Sequence, residues 1–181
     1  MIFIIHSFGP IEDRNCRILI LGSMPGGESL RKRQYYGHDR NGFWRVIYAL
    51  FGQTYEGDYE KRTAFLLSRN IALWDVIKRC EREGSLDSNI KNPVMNDFHG
   101  FFKTHPRIDH VFFNGRKAYE LFKRHIGFSF DGITFTYLRS TSPAHAAASF
   151  EDKLRDWRAV LVALDICRPQ KAYSFLGEHN E

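Results

Sequence analysis

The sequence predicts an α/β fold built around a central, mostly parallel four-stranded sheet. Two observations carry this reading. Four short apolar runs read as buried strands: "RILIL" (17–21), "IALWD" (71–75), "DHVFFN" (109–114) and "ITFTYL" (133–138). Segments of helical period separate them, and strands alternating with helices at this spacing indicate βαβ units. At 181 residues and 43% hydrophobic, the chain suits one domain with a sizeable core, expected over 1–168 and followed by a polar tail over 169–181.

The first strand runs into "GSMPGG" (22–27). Gly22, Pro25, Gly26 and Gly27 stiffen this turn and let a ligand approach backbone N–H groups closely. A plain strand-to-helix connection is the competing reading. The turn has no Lys-Ser/Thr pair after its glycines and no third glycine in register, so it matches neither common phosphate-cradling pattern. A helix opens near Asn41, with Phe43, Trp44, Ile47, Leu50 and Phe51 on one face. Asn41 is itself a good N-cap for that helix.

Phe65 and Leu66 belong to a second helix, and Ala118, Leu121 and Phe122 to a third. The last helix spans 150–164, where Phe150, Leu154, Trp157, Leu161 and Leu164 form a stripe behind a capping box of Ser149 and Asp152. In such a sheet, ligands bind outside the carboxyl ends of the strands. The loops there carry "GSMPGG", "VIKRC…GSLD", "NGRK" and "RSTSPAHA", so the informative polar residues converge on one edge.

Lys plus Arg outnumber Asp plus Glu by 26 to 21, a net charge of +5. That excess fits an anionic partner such as nucleic acid, and equally a slightly basic surface. The three cysteines, Cys16, Cys80 and Cys167, are scattered and form no Cys-x-x-Cys pair. This argues against zinc ribbons, disulfide frameworks and four-Cys iron–sulfur sites, and points to a reducing cytoplasm. No metal is expected: the eight histidines include no His-x-x-x-His pair on a credible helix. No apolar run approaches the roughly 20 residues needed to span a bilayer, and "MIFII" is too short for a signal segment.

Gly-x-x-Pro-Gly, an aromatic, and then His-x-x-Asn-x-Phe-Trp make up "LGSMPGGESL…QYYGHDRNGFW". This resembles the first motif of the uracil-DNA glycosylase superfamily, in the form carried by its hypoxanthine-DNA glycosylase (DNA-deoxyinosine glycosylase) branch. "LWDVIKRCEREGSLDSNI", "VFFNG" and "STSPAHA" follow in that branch's order, so the resemblance covers residues 17–164. It implies a three-layer α/β/α sandwich and a monofunctional enzyme of base-excision repair. That enzyme would hydrolyse the N-glycosidic bond of a flipped-out deaminated base, hypoxanthine above all. Its partner would be DNA containing the deaminated base; no cofactor or membrane is implied, and the expected state is a monomer. The alternatives are a uracil, xanthine or mismatch-specific glycosylase and, in another class, a non-catalytic nucleic-acid-binding module.

The resemblance also assigns residues. Tyr36 stands where mismatch-specific relatives place the aromatic that stacks on the extruded base; Tyr35 and Phe43 are the fallbacks and read better as core. Met24 replaces the water-positioning Asn of the mismatch-specific branch and cannot orient water. In the hypoxanthine branch that role falls to Asn41, whose amide accepts a water proton and donates to the leaving base but is no general base at neutral pH.

Gly22, Ser23, Met24, Pro25 and Gly26 would line the base pocket, with the Ser23–Met24 backbone on the base edge. Asn114 would read the N1–H and O6 edge of hypoxanthine, against the reading as an ordinary Asn-Gly turn. Ser142, Pro143, Ala144 and His145 match the motif that grips DNA beside the flipped nucleotide. His145 stands where relatives often carry Asn, and an ordinary surface histidine competes there. Asp75 would orient Asn41 or water, or cap a following helix; Ser85 and Asp87 are weaker candidates. Arg31–Arg33, Arg40 and Arg45 would face the DNA backbone, or merely solvent. With no well-placed Lys nucleophile, the product would be an abasic site without strand cleavage.

Overall fold

The computed structural model describes residues 4–144 and 148–165; His145 and the 169–181 tail lie outside these. In chain order the elements are β1 (Ile4–His6), β2 (Ile18–Gly22), α1 (Gly27–Lys32), α2 (Phe43–Leu50), α3 (Tyr59–Ser68), β3 (Ile71–Asp75), β4 (Ile77–Glu81), β5 (Lys91–Met95), α4 (Phe98–Thr104), β6 (His110–Asn114), α5 (Arg116–His125), β7 (Thr134–Leu138) and α6 (Phe150–Ala163). The four predicted strands are β2, β3, β6 and β7. They form one sheet in the order β3-β2-β6-β7, and every pairing in it is parallel.

Successive side chains of β2 point to opposite faces, and both faces are covered. Ile18 and Ile20 join a core with Phe43, Trp44, Ile47, Leu66 and Trp157, contributed by α2, α3 and α6. Leu19 and Leu21 join a second core with Phe98, Phe102, Ala118 and Phe122, contributed by α4 and α5. The result is the three-layer α/β/α arrangement. All five residues of β2 are buried, which is why the strand reads as an unbroken apolar run.

Four features differ from the sequence expectation. A second, antiparallel sheet of order β1-β4-β5 takes up "IKRCE", which reads as loop in the sequence. Its pairing is irregular, with register shifts around Arg79, and β5 contains Pro93 at a sheet edge, so neither strand shows clean alternation. Because β4 follows β3 directly, Asp75 has no helix to cap. On α6 the capping box of Ser149 and Asp152 is present, but Phe150 is 40% exposed, and the buried stripe is Trp157, Val160, Leu161, Ala163 and Leu164. Phe51 closes α2 as its half-buried C-cap instead of continuing the helix. Among the described residues no helix is long and apolar enough to cross a membrane.

Strand order places the topological switch between β2 and β6. A crevice therefore opens beyond their carboxyl ends.

Candidate active site

A cavity of about 490 Å³ occupies that crevice. Its wall includes Gly22 from the end of β2, Asp75 from the end of β3 and Asn114 from the end of β6, with Ser140 beyond β7. All eleven described residues proposed from sequence line it: Gly22, Ser23, Met24, Pro25, Gly26, Tyr36, Asn41, Asn114, Ser142, Pro143 and Ala144. Ser85, Asp87 and Arg40 line it as well. Arg31 lies outside it, engaged with Glu28, and Lys32 is held by Asp39.

Close approach governs the first wall. A Cβ on Gly22 would lie 2.5 Å from Asp75 Oδ1 and 3.0 Å from the Tyr36 hydroxyl, so only glycine leaves room for both side chains. The Gly22 and Ser23 carbonyls accept from Val76 N–H and Ile77 N–H, while the Ser23 and Met24 N–H groups donate to nothing among the described residues and can be offered to a ligand. Ser23 Oγ donates to Asp87 Oδ1 at 2.9 Å, and Gly27 N–H donates to Ser85 Oγ at 2.8 Å. Met24 is 6% exposed and packs into the second core.

Tyr36 has a left-handed backbone (φ 53°), and its ring stacks on Phe43 with centroids 4.0 Å apart and planes 20° from parallel. Tyr35 and Phe43 are core residues, at 3% and 0% exposure. The Tyr36 hydroxyl is buried without a hydrogen-bond partner among the described residues. Burial, together with the negative charge of Asp75, raises its pKa, against the opposing effect of the nearby Asn114 side chain, which lies close without forming a well-aligned hydrogen bond.

Asp75 is 3% exposed, and Ser7 Oγ donates to its Oδ2 at 2.7 Å. Burial pushes the Asp75 carboxyl up to about 7, against the Ser7 hydrogen bond and the charge of Arg82, and with the help of Asp87. The Asp87 carboxyl is also raised by burial. Arg82, buried behind the first loop, donates to the Pro25 carbonyl and holds that turn in place.

Gly42, not Asn41, occupies the N-cap of α2, yet Asn41 Oδ1 still accepts from Phe43 N–H at 3.0 Å. The same oxygen accepts from Thr141 Oγ1 at 3.0 Å. Both of its lone pairs are thus engaged, so the amide has no acceptor left for a water proton. Asn41 lines the cavity, and its Nδ2 is left with no hydrogen bond among the described residues.

Asn114 is similarly committed. Its Oδ1 accepts from Thr141 N–H at 2.9 Å and its Nδ2 donates to Thr141 Oγ1 at 2.8 Å. This bidentate pair uses the outer amide edge that the sequence argument offered to the base, leaving a single acceptor or donor on either side. Gly115 follows at φ 101°, and a Cβ there would lie 2.9 Å from Ser140 Cβ. The Asn-Gly pair therefore makes a strand-to-helix turn instead of a hairpin. In the last loop Ser140 Oγ accepts from Ser142 N–H, and Ser142 Oγ accepts from Ala144 N–H.

The model of the uracil DNA glycosylase superfamily matches residues 8–164 of this chain. The chain belongs to that superfamily. Among its curated relatives, one named hypoxanthine DNA glycosylase, from Methanosarcina acetivorans, is 40% identical over 158 residues, covering 86% of this chain and 96% of the relative. Another of that name, from Methanosarcina barkeri, is 42% identical over 126 residues, covering 68% and 80%. The solution NMR structure of a candidate uracil DNA glycosylase from Methanosarcina acetivorans superposes with a TM-score of 0.75 at 39% identity, covering 90% of this chain and 99% of that one.

Within this uracil DNA glycosylase fold, sequence reasoning missed Thr141. It is 1% exposed and bonds both amides. In the sequence it is one hydroxyl among three in "STS", and nothing there marks it out.

Proposed function

We propose that this chain is a monofunctional DNA glycosylase that releases hypoxanthine from deoxyinosine in DNA, acting as a cytoplasmic monomer in base-excision repair. The observation that supports the reading is the cavity at the switch point, lined by Tyr36, whose ring stacks on Phe43, and by Asn41, whose oxygen is engaged and whose Nδ2 has no hydrogen bond among the described residues. The relatives named for hypoxanthine support the choice of base.

The target nucleotide must leave the duplex at a cost of a few kcal/mol. Stacking on Tyr36 offsets part of it, extending the Tyr36–Phe43 stack by one ring. The N–H groups of the Ser23–Met24 turn hydrogen-bond the base carbonyl, and Asn114 adds one hydrogen bond. Ser142, Pro143, Ala144 and His145 hold the flanking phosphates.

In the reaction the C1′–N9 bond breaks with its electron pair going to the purine, and the sugar becomes oxocarbenium-like. Asn41 Nδ2–H holds a water through one lone pair, leaving the other directed at C1′. The new C1′–O bond forms, and the proton lost from the water ends on the departing purine. No strong base is needed, because the cationic sugar is the electrophile. No lysine lines the described cavity, so no covalent imine forms, and the product is an abasic site.

The test is a duplex carrying one inosine, incubated with the protein and then treated with alkali. A nick at the inosine, lost by at least about 100-fold in Asn41→Ala, is expected. Release of uracil or xanthine with inosine untouched overturns the substrate. Lesion binding without release of any base, unchanged by Asn41→Ala, indicates a binding module.

A further inference from the structure

Two backbone donors fix the sense of a hydrogen-bond chain in the cavity wall. Phe43 N–H and Thr141 N–H have only a proton to give. The atoms they meet, in Asn41 at 3.0 Å and Asn114 at 2.9 Å, must therefore be amide oxygens. Neither amide can turn over without setting donor against donor. Thr141 Oγ1 sits between them, 2.8 Å from Asn114 Nδ2 and 3.0 Å from Asn41 Oδ1. Its polarity is then forced: the hydroxyl accepts from Asn114 and aims its own proton at Asn41. Burial of Thr141 keeps water from taking its place. The Thr141 carbonyl closes the link by accepting from Gly42 N–H at 3.0 Å.

We propose that Thr141 is the positioning residue of this site, clamped by the amide edge of Asn114 and holding Asn41 so that its Nδ2 faces the cavity. This rests on the reading of Asn41 as the residue that holds the attacking water. Phe43 N–H alone would leave the Asn41 amide free to pivot about its oxygen. A second donor meeting that oxygen from the facing loop fixes the amide plane, and with it the direction of Nδ2. Misplacement on the order of 1 Å is costly to a reacting geometry, so the loss falls on the chemical step and not on DNA affinity.

The experiment measures single-turnover release of hypoxanthine, DNA affinity and the thermal midpoint for Thr141→Val, Thr141→Ser, Asn41→Ala and the double variant Asn41→Ala/Thr141→Val. Valine keeps the shape of threonine without the hydroxyl. Thr141→Val is expected to slow release about 10- to 100-fold with DNA affinity little changed, and Thr141→Ser to stay near the wild-type rate. In the Asn41→Ala background Thr141→Val adds only the small effect of releasing Asn114 Nδ2, whose oxygen stays held by Thr141 N–H, because the hydroxyl no longer has an Asn41 oxygen to hold. A merely structural role would instead give losses that multiply.

A wild-type rate in Thr141→Val, or multiplying losses in the double variant, overturns the proposal. A wild-type rate in Asn41→Ala overturns the underlying reading of Asn41 instead. If a lowered midpoint shows that Thr141→Val has not folded, Thr141→Ala is compared with Thr141→Ser. Both lack the methyl and only the first lacks the hydroxyl, so equal rates overturn the proposal.

Discussion

Asp75→Asn separates the burial of a carboxyl group from the burial of its charge. The Asp75 side chain is almost wholly enclosed, and its carboxyl is pushed from an ordinary 3.8 to about 7. Between these values the folded protein keeps a proton that the unfolded chain has released, so stability falls as pH rises through that window and levels off above it. Each unit corresponds to about 1.36 kcal/mol, giving about 4 kcal/mol over the whole range and about 2.5 kcal/mol between about pH 5 and about pH 8. Asparagine cannot ionise and can still accept from Ser7. Denaturant unfolding of both proteins at the two pH values isolates the effect, since the other titrating groups largely cancel in the difference. The advantage of wild type over Asp75→Asn should shrink by roughly 2.5 kcal/mol on going to the higher pH. A difference that stays constant within about 0.5 kcal/mol, or grows with pH, refutes the reasoning.

Two further substitutions test the wall of the cavity. Tyr36→Phe deletes a buried hydroxyl that has no hydrogen-bond partner among the described residues, so it should leave the protein as stable or more stable by about 1 kcal/mol in urea unfolding, whereas under the proposed stacking role Tyr36→Ala should weaken engagement of the flipped base by about 1–3 kcal/mol in single-turnover titrations. Gly115→Ala puts a side chain at φ 101° and against Ser140, and should cost about 1–3 kcal/mol and lower the thermal midpoint; an unchanged midpoint would show that the turn after β6 relaxes freely.

The three inner runs of the parallel sheet were legible because β2, β3 and β6 are covered on both faces, so burial writes itself into consecutive residues such as Ile18, Leu19, Ile20 and Leu21; the edge strand β7, with Thr134 and Tyr137 exposed, was legible from its β-branched and aromatic residues instead. The small antiparallel sheet was not, because β4 exposes Lys78 and Arg79 side by side and its pairing slips at Arg79. Its partners, β1 and β5, carry too little apolar pattern to announce themselves. The cavity followed from topology: placing the loops beyond the carboxyl ends of β2, β3, β6 and β7 gathers their polar residues before any side chain is located.

Which atoms those residues still have available is a different kind of information. Asn41 and Asn114 were identifiable as amides at loop entrances, but the commitment of the Asn41 oxygen depends on Thr141, 100 positions away, and the commitment of the Asn114 edge on the same residue 27 positions away. Sequence gives the donors and acceptors each side chain owns; only the fold says which have been used. In the proposed mechanism that difference decides how the water is held: with its oxygen saturated, Asn41 can meet the water only through Nδ2–H and a water lone pair, and not by accepting a hydrogen bond from it. Because an amide is no base at neutral pH whichever of its atoms is free, that proposed mechanism leaves the water's proton to the purine released.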